Sequence, residues 1–368
     1  MSFASVPPLP SLPLKHVSEM GLADLERLRL ILRGGSVIDW RRMHFSDRAE
    51  VSDFLDLCGY DMEEPLDEAW GRVVLADAVE YLRKTFHYRV TEVVAHPEDL
   101  HNLFLYASGV LEPTRYRKIA CIVLKVMHVL QHIEGRDLLF RLAVSEAQLS
   151  ELVTRRVMDA VEPLLTPGGP LVLVSDSMKT RASLVTKLIA KKETVAAQVY
   201  DKTRFRLVTR SQADIIPVLH YLTHHLFPFN FLVPGQTDNT LIPFKQLIDE
   251  HPHFSRFLDQ LQLDKDYEER EQSLVNQFSG KGYRVLNFVA DVPLRMDAYL
   301  PPPEEDRRER KNRVGFLLVE FQVVDEETAA ENENGENAHE RYKKRQLRKV
   351  LHRLSNGLIV PKAPPKVR

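Results

Sequence analysis

Cysteine is scarce in this sequence: Cys58 and Cys121 are the only two among 368 residues, far apart and with apolar or acidic neighbours. Such a pair supports neither a disulfide framework nor a cysteine-based zinc site, and it points to a reducing compartment. Long apolar runs are missing too. No stretch reaches the roughly 18 consecutive apolar residues that a spanning helix needs. The opening MSFASVPPLPSLPL lacks the basic start and apolar core of a secretory leader. The expectation is a soluble cytoplasmic protein with no membrane partner. Charge of one sign is also absent, since 50 Lys and Arg against 52 Asp and Glu leave a net charge of -2. No global field therefore recruits a polyanion, and any such site has to be a local basic cluster.

The remaining composition, 44% apolar and 28% charged, is that of a globular chain long enough for two cores. Four prolines within residues 1–16 make that piece an extended arm. Residues 17–167 carry helical spacing: Leu25, Leu28 and Leu32, then Ala76, Val79 and Leu82. Ile119, Ile122, Val123, Val126, Met127 and Leu130 form a broad stripe that predicts a core helix over 116–132. Ser145 caps a second long helix predicted over 145–165, with Glu146 in its first turn. The run Thr166-Pro167-Gly168-Gly169-Pro170 cannot continue it, and the domain boundary is placed there.

Beyond the boundary the pattern changes. LVLVSDS reads as a strand or buried turn, a helix is predicted over 180–193, and VYDKTRFRLVT reads as a strand. Another helix is expected over 215–226, and two strands over 283–292 and 315–324. The fold class is therefore α+β, a helical N-terminal region followed by a mixed sheet with flanking helices, over 168–355. A polar stretch, ETAAENENGENA, reads as a loop, helical spacing resumes in HERYKKRQLRKVLHRL, and residues 356–368 are a basic tail.

Chemistry-bearing residues cluster in this second part. Lys179, Arg181, Ser183 and Lys187 crowd the start of a predicted helix, where orphan N–H groups and the helix dipole already favour an anion. Lys179, Ser183 and Lys187 are spaced by four and share one face, as a triphosphate requires. Asp201 opens the next strand, and alternation puts Arg204 and Arg206 on one side of it. A strand carboxylate beside a phosphate-binding helix suits magnesium, which takes one or two carboxylates with phosphate oxygens and water. Glu320 is embedded in FLLVEFQVV, where a lone charge is costly unless partnered, and Gln322 faces the same way. Tyr283, next to Gly282, can offer a ring to a base.

The order Lys179-x-x-x-Ser183-x-x-x-Lys187, Asp201-x-x-x-x-Arg206, Gly282-Tyr283, Glu320-x-Gln322, then His339 and Tyr342-Lys343 resembles the synthetase domain of RelA/SpoT proteins. The resemblance implies a nucleotidyltransferase-like fold and transfer of pyrophosphate from ATP to a ribose hydroxyl of a guanine or other nucleotide. It implies that Lys179, Arg181, Ser183, Lys187 and Arg204 hold the ATP phosphates and that Asp201 and Glu320 hold magnesium. Asp201, Glu320 and Arg206 would be catalytic, with Tyr283, Gln322, His339, Tyr342 and Lys343 on the acceptor.

Two departures stand out. Ser177 occupies the position of a family arginine, and Val285 and Asn287 replace the Ser and His of the family's G-Y-x-S-x-H run. They keep open a nucleotide-binding sensor that no longer reacts. The basic run at 341–348 keeps open the end of transfer RNA as acceptor. His128 and His132 share a helix face, but without a His-Asp pair they do not make the metal site of an alarmone hydrolase.

Overall fold

The computed structural model describes residues 14–34, 44–178, 203–257, 283–300 and 312–333, with further helical positions at 185–186, 189, 347–348, 350–352 and 354. The described part before residue 167 is helical, as its periodicity predicts: α1 (Leu22–Arg33), α2 (Arg48–Leu57), α3 (Pro65–Phe86), α4 (Glu92–Ala95), α5 (His101–Ser108), α6 (Tyr116–Arg141) and α7 (Glu146–Val161). Ser145 caps α7, its hydroxyl accepting from the Gln148 N–H while the Gln148 side chain accepts from the Ser145 N–H. The helix predicted over 116–132 runs on to Arg141, because Leu138 and Leu139 continue the apolar stripe into the core.

After the Pro-Gly break come β1 (Leu171–Met178), β2 (Thr203–Thr209), α8 (Ile215–His225), β3 (Asp238–Asn239), α9 (Phe244–Glu250), α10 (Pro252–Ser255), β4 (Leu286–Arg295), β5 (Val314–Asp325) and α11 (Glu326–Glu333). The five strands form one sheet in the order β1-β2-β5-β4-β3. β2 and β5 run parallel and the other neighbours antiparallel. The long crossover that a parallel pair demands passes through α8, β3 and β4. The fold class is thus α+β with a mixed sheet and flanking helices.

Strand alternation divides the sheet into two unlike faces. Phe205, Leu207, Phe288, Phe321 and Val323 project to one side and share a core with α1, α7 and α8. Phe288 and Phe321 stack there with ring centroids 5.3 Å apart. This core crosses the Pro-Gly break, since Val161 and Leu164 belong to it together with Leu171. A second core joins α2, α3, α5 and α6 to Phe229, Phe231, Val314 and Phe316.

Two glycines let α6 cross the start of β5. A methyl group on Gly135 would stand 2.3 Å from a Phe316 ring carbon, and one on Gly315 would stand 2.5 Å from a Leu139 methyl. Both distances lie inside van der Waals contact, so the helix reaches the strand only because neither position carries a side chain. No helix among the described residues is long and apolar enough to cross a membrane.

LVLVSDS proves to be a sheet edge, not a buried turn, with Val172 and Leu173 exposed. β4 begins at Leu286, later than the predicted 283, because Tyr283 and Arg284 are bonded instead to Thr240 and Asn332.

Candidate functional site

The second face of the sheet carries the polar residues. On β2, Arg204 and Arg206 alternate with the buried Phe205 and Leu207, and on β5, Glu320 and Gln322 alternate with Phe321 and Val323. The parallel register sets Arg204 opposite Glu320 and Arg206 opposite Gln322. Ser177 and Ser175 of β1 are the partners of Arg204 and Arg206, and Asn287 of β4 is the partner of Gln322. A polar strip therefore crosses four strands on one face.

Glu320 lies on a central strand and is only 8% exposed. Its partner is close: the Arg204 guanidinium donates Nη2 to Oε1 at 3.0 Å. Burying a carboxylate here is tolerable because a planar guanidinium from the adjacent strand meets it. Arg206 pairs outward instead, Nη1 donating to Oε1 of the exposed Glu333 at 3.2 Å. Gln322 donates Nε2 to the Tyr283 hydroxyl at 2.8 Å.

Helices bound the strip at both ends. α11 is capped by Asp325, whose side chain accepts from the Thr328 N–H, and Asn332 bonds both the N–H and the carbonyl of Arg284. These bonds tie the segment bearing Tyr283 beside the strip. At the other end His132 of α6 stacks on Phe316 and places Nδ1 3.0 Å from Oδ2 of the buried Asp291. Arg136 reaches the same carboxylate at 3.3 Å. Asp291 faces as Glu320 does, two residues along β4 from the Glu320 partner Val289.

His128, one turn before His132, is buried against Asn230 and Phe231. Burial, with His132 adding repulsion, pushes its imidazole down to about 3. A neutral core histidine is the result.

Of the residues singled out from sequence, the fold brings together Arg204, Arg206, Glu320, Gln322 and Tyr283. Lys179, Arg181, Ser183, Lys187, Asp201, His339, Tyr342 and Lys343 lie outside the described residues, as does Gly282. Arg204, expected on phosphate, is the ion-pair partner of Glu320. Sequence reasoning missed Asp291 and Glu333, and it met Asn287 only as a departure from the family pattern. Asp291 carries a signal of its own, a charge inside the apolar run NFVADVPL.

No family model and no curated protein sequence matches the chain. Among solved structures, small alarmone synthetase 1 from Bacillus subtilis is 14% identical at a TM-score of 0.31, over 57% of this chain and 86% of its own. Small alarmone synthetase 2 from the same organism is 18% identical at a TM-score of 0.26, over 58% of this chain and 78% of its own. The first enzyme bound to its product pppGpp aligns at 15% identity and a TM-score of 0.29, over 57% of this chain and 86% of that one.

Proposed function

We propose that the polar strip is part of a nucleotide site at which a pyrophosphoryl group passes from ATP to a ribose hydroxyl of a second nucleotide. The observation that carries this reading is the parallel register of β2 and β5. It gathers Arg206 and the Glu320-x-Gln322 pair, whose order along the chain resembles RelA/SpoT synthetase domains, with Arg204 on one face beside Tyr283. In the reaction the hydroxyl oxygen attacks the β-phosphorus, the bond from that phosphorus to the α-bridging oxygen breaks, and AMP leaves. Glu320 takes the hydroxyl proton, Arg206 offsets charge on the phosphates, and Tyr283 stacks on the acceptor base.

Lys179, Arg181, Ser183 and Lys187 would complete the phosphate site, with His339, Tyr342 and Lys343 on the acceptor. Carboxylates are the donor type that magnesium takes. Glu320 is a carboxylate flanked by the amide of Gln322, and with Asp201 it would supply the one or two carboxylates this ion takes, leaving the rest of its shell to phosphate and water. Bound there, magnesium would neutralise phosphate charge. Ser177, where the family arginine is missing, is the register partner of Arg204, whose guanidinium is bonded to Glu320 on the strand to the other side.

The test is incubation of the purified protein with labelled ATP, magnesium and, separately, GDP, GTP, ADP and bulk transfer RNA. Transfer of label to a nucleotide acceptor is the expected result. ATP binding without transfer to any acceptor would sink the enzyme reading in favour of the sensor.

A further inference from the structure

On the opposite side of the sheet, where α1 packs on α8, Asp24, His220 and His224 bring a carboxylate and two imidazoles together. We propose that these three residues bind a divalent transition-metal ion, with zinc the ion whose chemistry fits them best. His220 and His224 are one helical turn apart on α8, and their rings stack with centroids 4.1 Å apart. Asp24 comes from the first turn of α1 and is buried. One donor atom from each of the three lies within 4.8 Å of the others, the only such group of His, Cys, Asp and Glu among the described residues. Small side-chain rotations bring donors at that spacing onto one ion, with bonds of about 2.0–2.2 Å.

The hydrogen bonds show which atoms are ready. His224 donates Nδ1 to the His220 carbonyl at 2.7 Å, with the Thr223 hydroxyl 3.3 Å from the same nitrogen. A backbone bond of this kind orients metal-binding histidines and leaves the other nitrogen with its lone pair. That nitrogen, Nε2, faces Nη1 of Arg27 at 2.6 Å. An arginine only donates, so it requires the same tautomer. Burial, aided by Arg27 and His220, pushes the His224 imidazole down to about 3 and keeps it neutral, the form that ligates.

His220 holds Nε2 3.0 Å from Oδ1 of Asp24, whose Oδ2 accepts from Lys15 at 2.7 Å and from the Gly21 N–H at 2.8 Å. Burial works to raise the Asp24 carboxyl, but hydrogen bonds from His220, Lys15 and Gly21 outweigh it and hold the group well below the usual carboxylate range. The cluster thus already attracts cations: a guanidinium and an ammonium stand at two of the three donors. A metal ion displaces Arg27 from His224 and the proton from His220 Nε2. Three protein donors leave a fourth position for water, and the ion would clamp α1 to α8.

The experiment is a cobalt(II) titration of the full-length protein after chelator treatment, followed by ligand-field bands in the visible, with zinc as competitor. One equivalent should give bands of tetrahedral type that zinc abolishes, and the signal should survive Glu320→Gln, which separates it from the proposed nucleotide site. His224→Gln and Asp24→Asn should lose the bands. Arg27→Gln should tighten cobalt binding, because it removes the competing cation without touching a ligand. This last variant stays informative if the ligand variants fold poorly. Absence of bands in the wild type, bands that persist in His224→Gln, or unchanged binding in Arg27→Gln would each overturn the site and leave a charge clasp between two helices.

Discussion

Arg204 on β2 and Glu320 on β5 stand opposite one another in a parallel pair, guanidinium Nη2 to carboxylate Oε1 at 3.0 Å. The neighbouring pair differs, because Arg206 meets a glutamate that is 70% exposed. The two arginines should therefore behave differently when removed. Arg204→Ala removes the guanidinium bonded to a buried carboxylate and should cost about 1–3 kcal/mol, whereas Arg206→Ala, whose partner is exposed, should cost less than about 1 kcal/mol. Chemical denaturation of both variants checks this, and equal losses would refute it.

Under the proposed transfer reaction, Glu320 is the residue that separates turnover from binding. Glu320→Gln keeps the shape of the side chain and loses its charge, so ATP affinity should persist while product formation falls by about 10²–10⁴-fold. Calorimetric ATP binding alongside labelled-product assays reads both quantities. Wild-type turnover in the variant would remove Glu320 from the chemistry.

Tyr283 stands beside the polar strip and accepts a hydrogen bond from Gln322. If the ring stacks on a base, Tyr283→Phe should retain acceptor affinity and Tyr283→Ala should lose about 1–3 kcal/mol of it. Affinities measured for the two variants with the best acceptor decide the point. A loss in Tyr283→Phe as large as in Tyr283→Ala would assign the role to the hydroxyl.

The crossing of α6 over β5 should tolerate no added methyl. Gly135→Ala and Gly315→Ala each force a side chain into Phe316 or Leu139 and should destabilise by about 1–3 kcal/mol. Thermal unfolding of both variants measures it, and an unchanged melting temperature in either would show that the helix can move away.

Acid should weaken the fold partly through His128. Its folded-state value of about 3 lies below the value of about 6.5 for a free imidazole. The unfolded chain therefore takes up a proton first. Stability from this group is complete above about pH 6.5 and is lost as pH falls toward the folded value, by up to about 1.4 kcal/mol per unit. His132 on the same helix and Asn230 after α8 are polar groups beside it, with Asp291 and Arg136 beyond His132. His128→Asn should reduce the slope of unfolding free energy between pH 6 and about 4.5 by close to one proton. An identical slope in the variant would show that His128 does not carry it.

Local periodicity and caps were sufficient for much of this molecule. Ser145 as a cap with Glu146 in the first turn, the stripe from Ile119 to Leu130, and the alternation in TRFRLVT and FLLVEFQVV depend on interactions a few residues apart, so they are legible in one dimension. The same alternation placed Arg204 with Arg206 and Glu320 with Gln322 on shared strand faces. It could not say which strands would be neighbours. That Arg204 meets Glu320, that Ser177 stands beside Arg204, and that β5 is central depend on a strand order joining segments more than a hundred residues apart. Asp24 and His220 were likewise invisible as a pair, because their contact comes from α1 packing on α8 and from no spacing in the chain. Sequence determined the elements and the faces of the strands, through forces that act within a turn or a pleat. Tertiary structure alone decided which charges are buried together, because that follows from which apolar faces meet in the core.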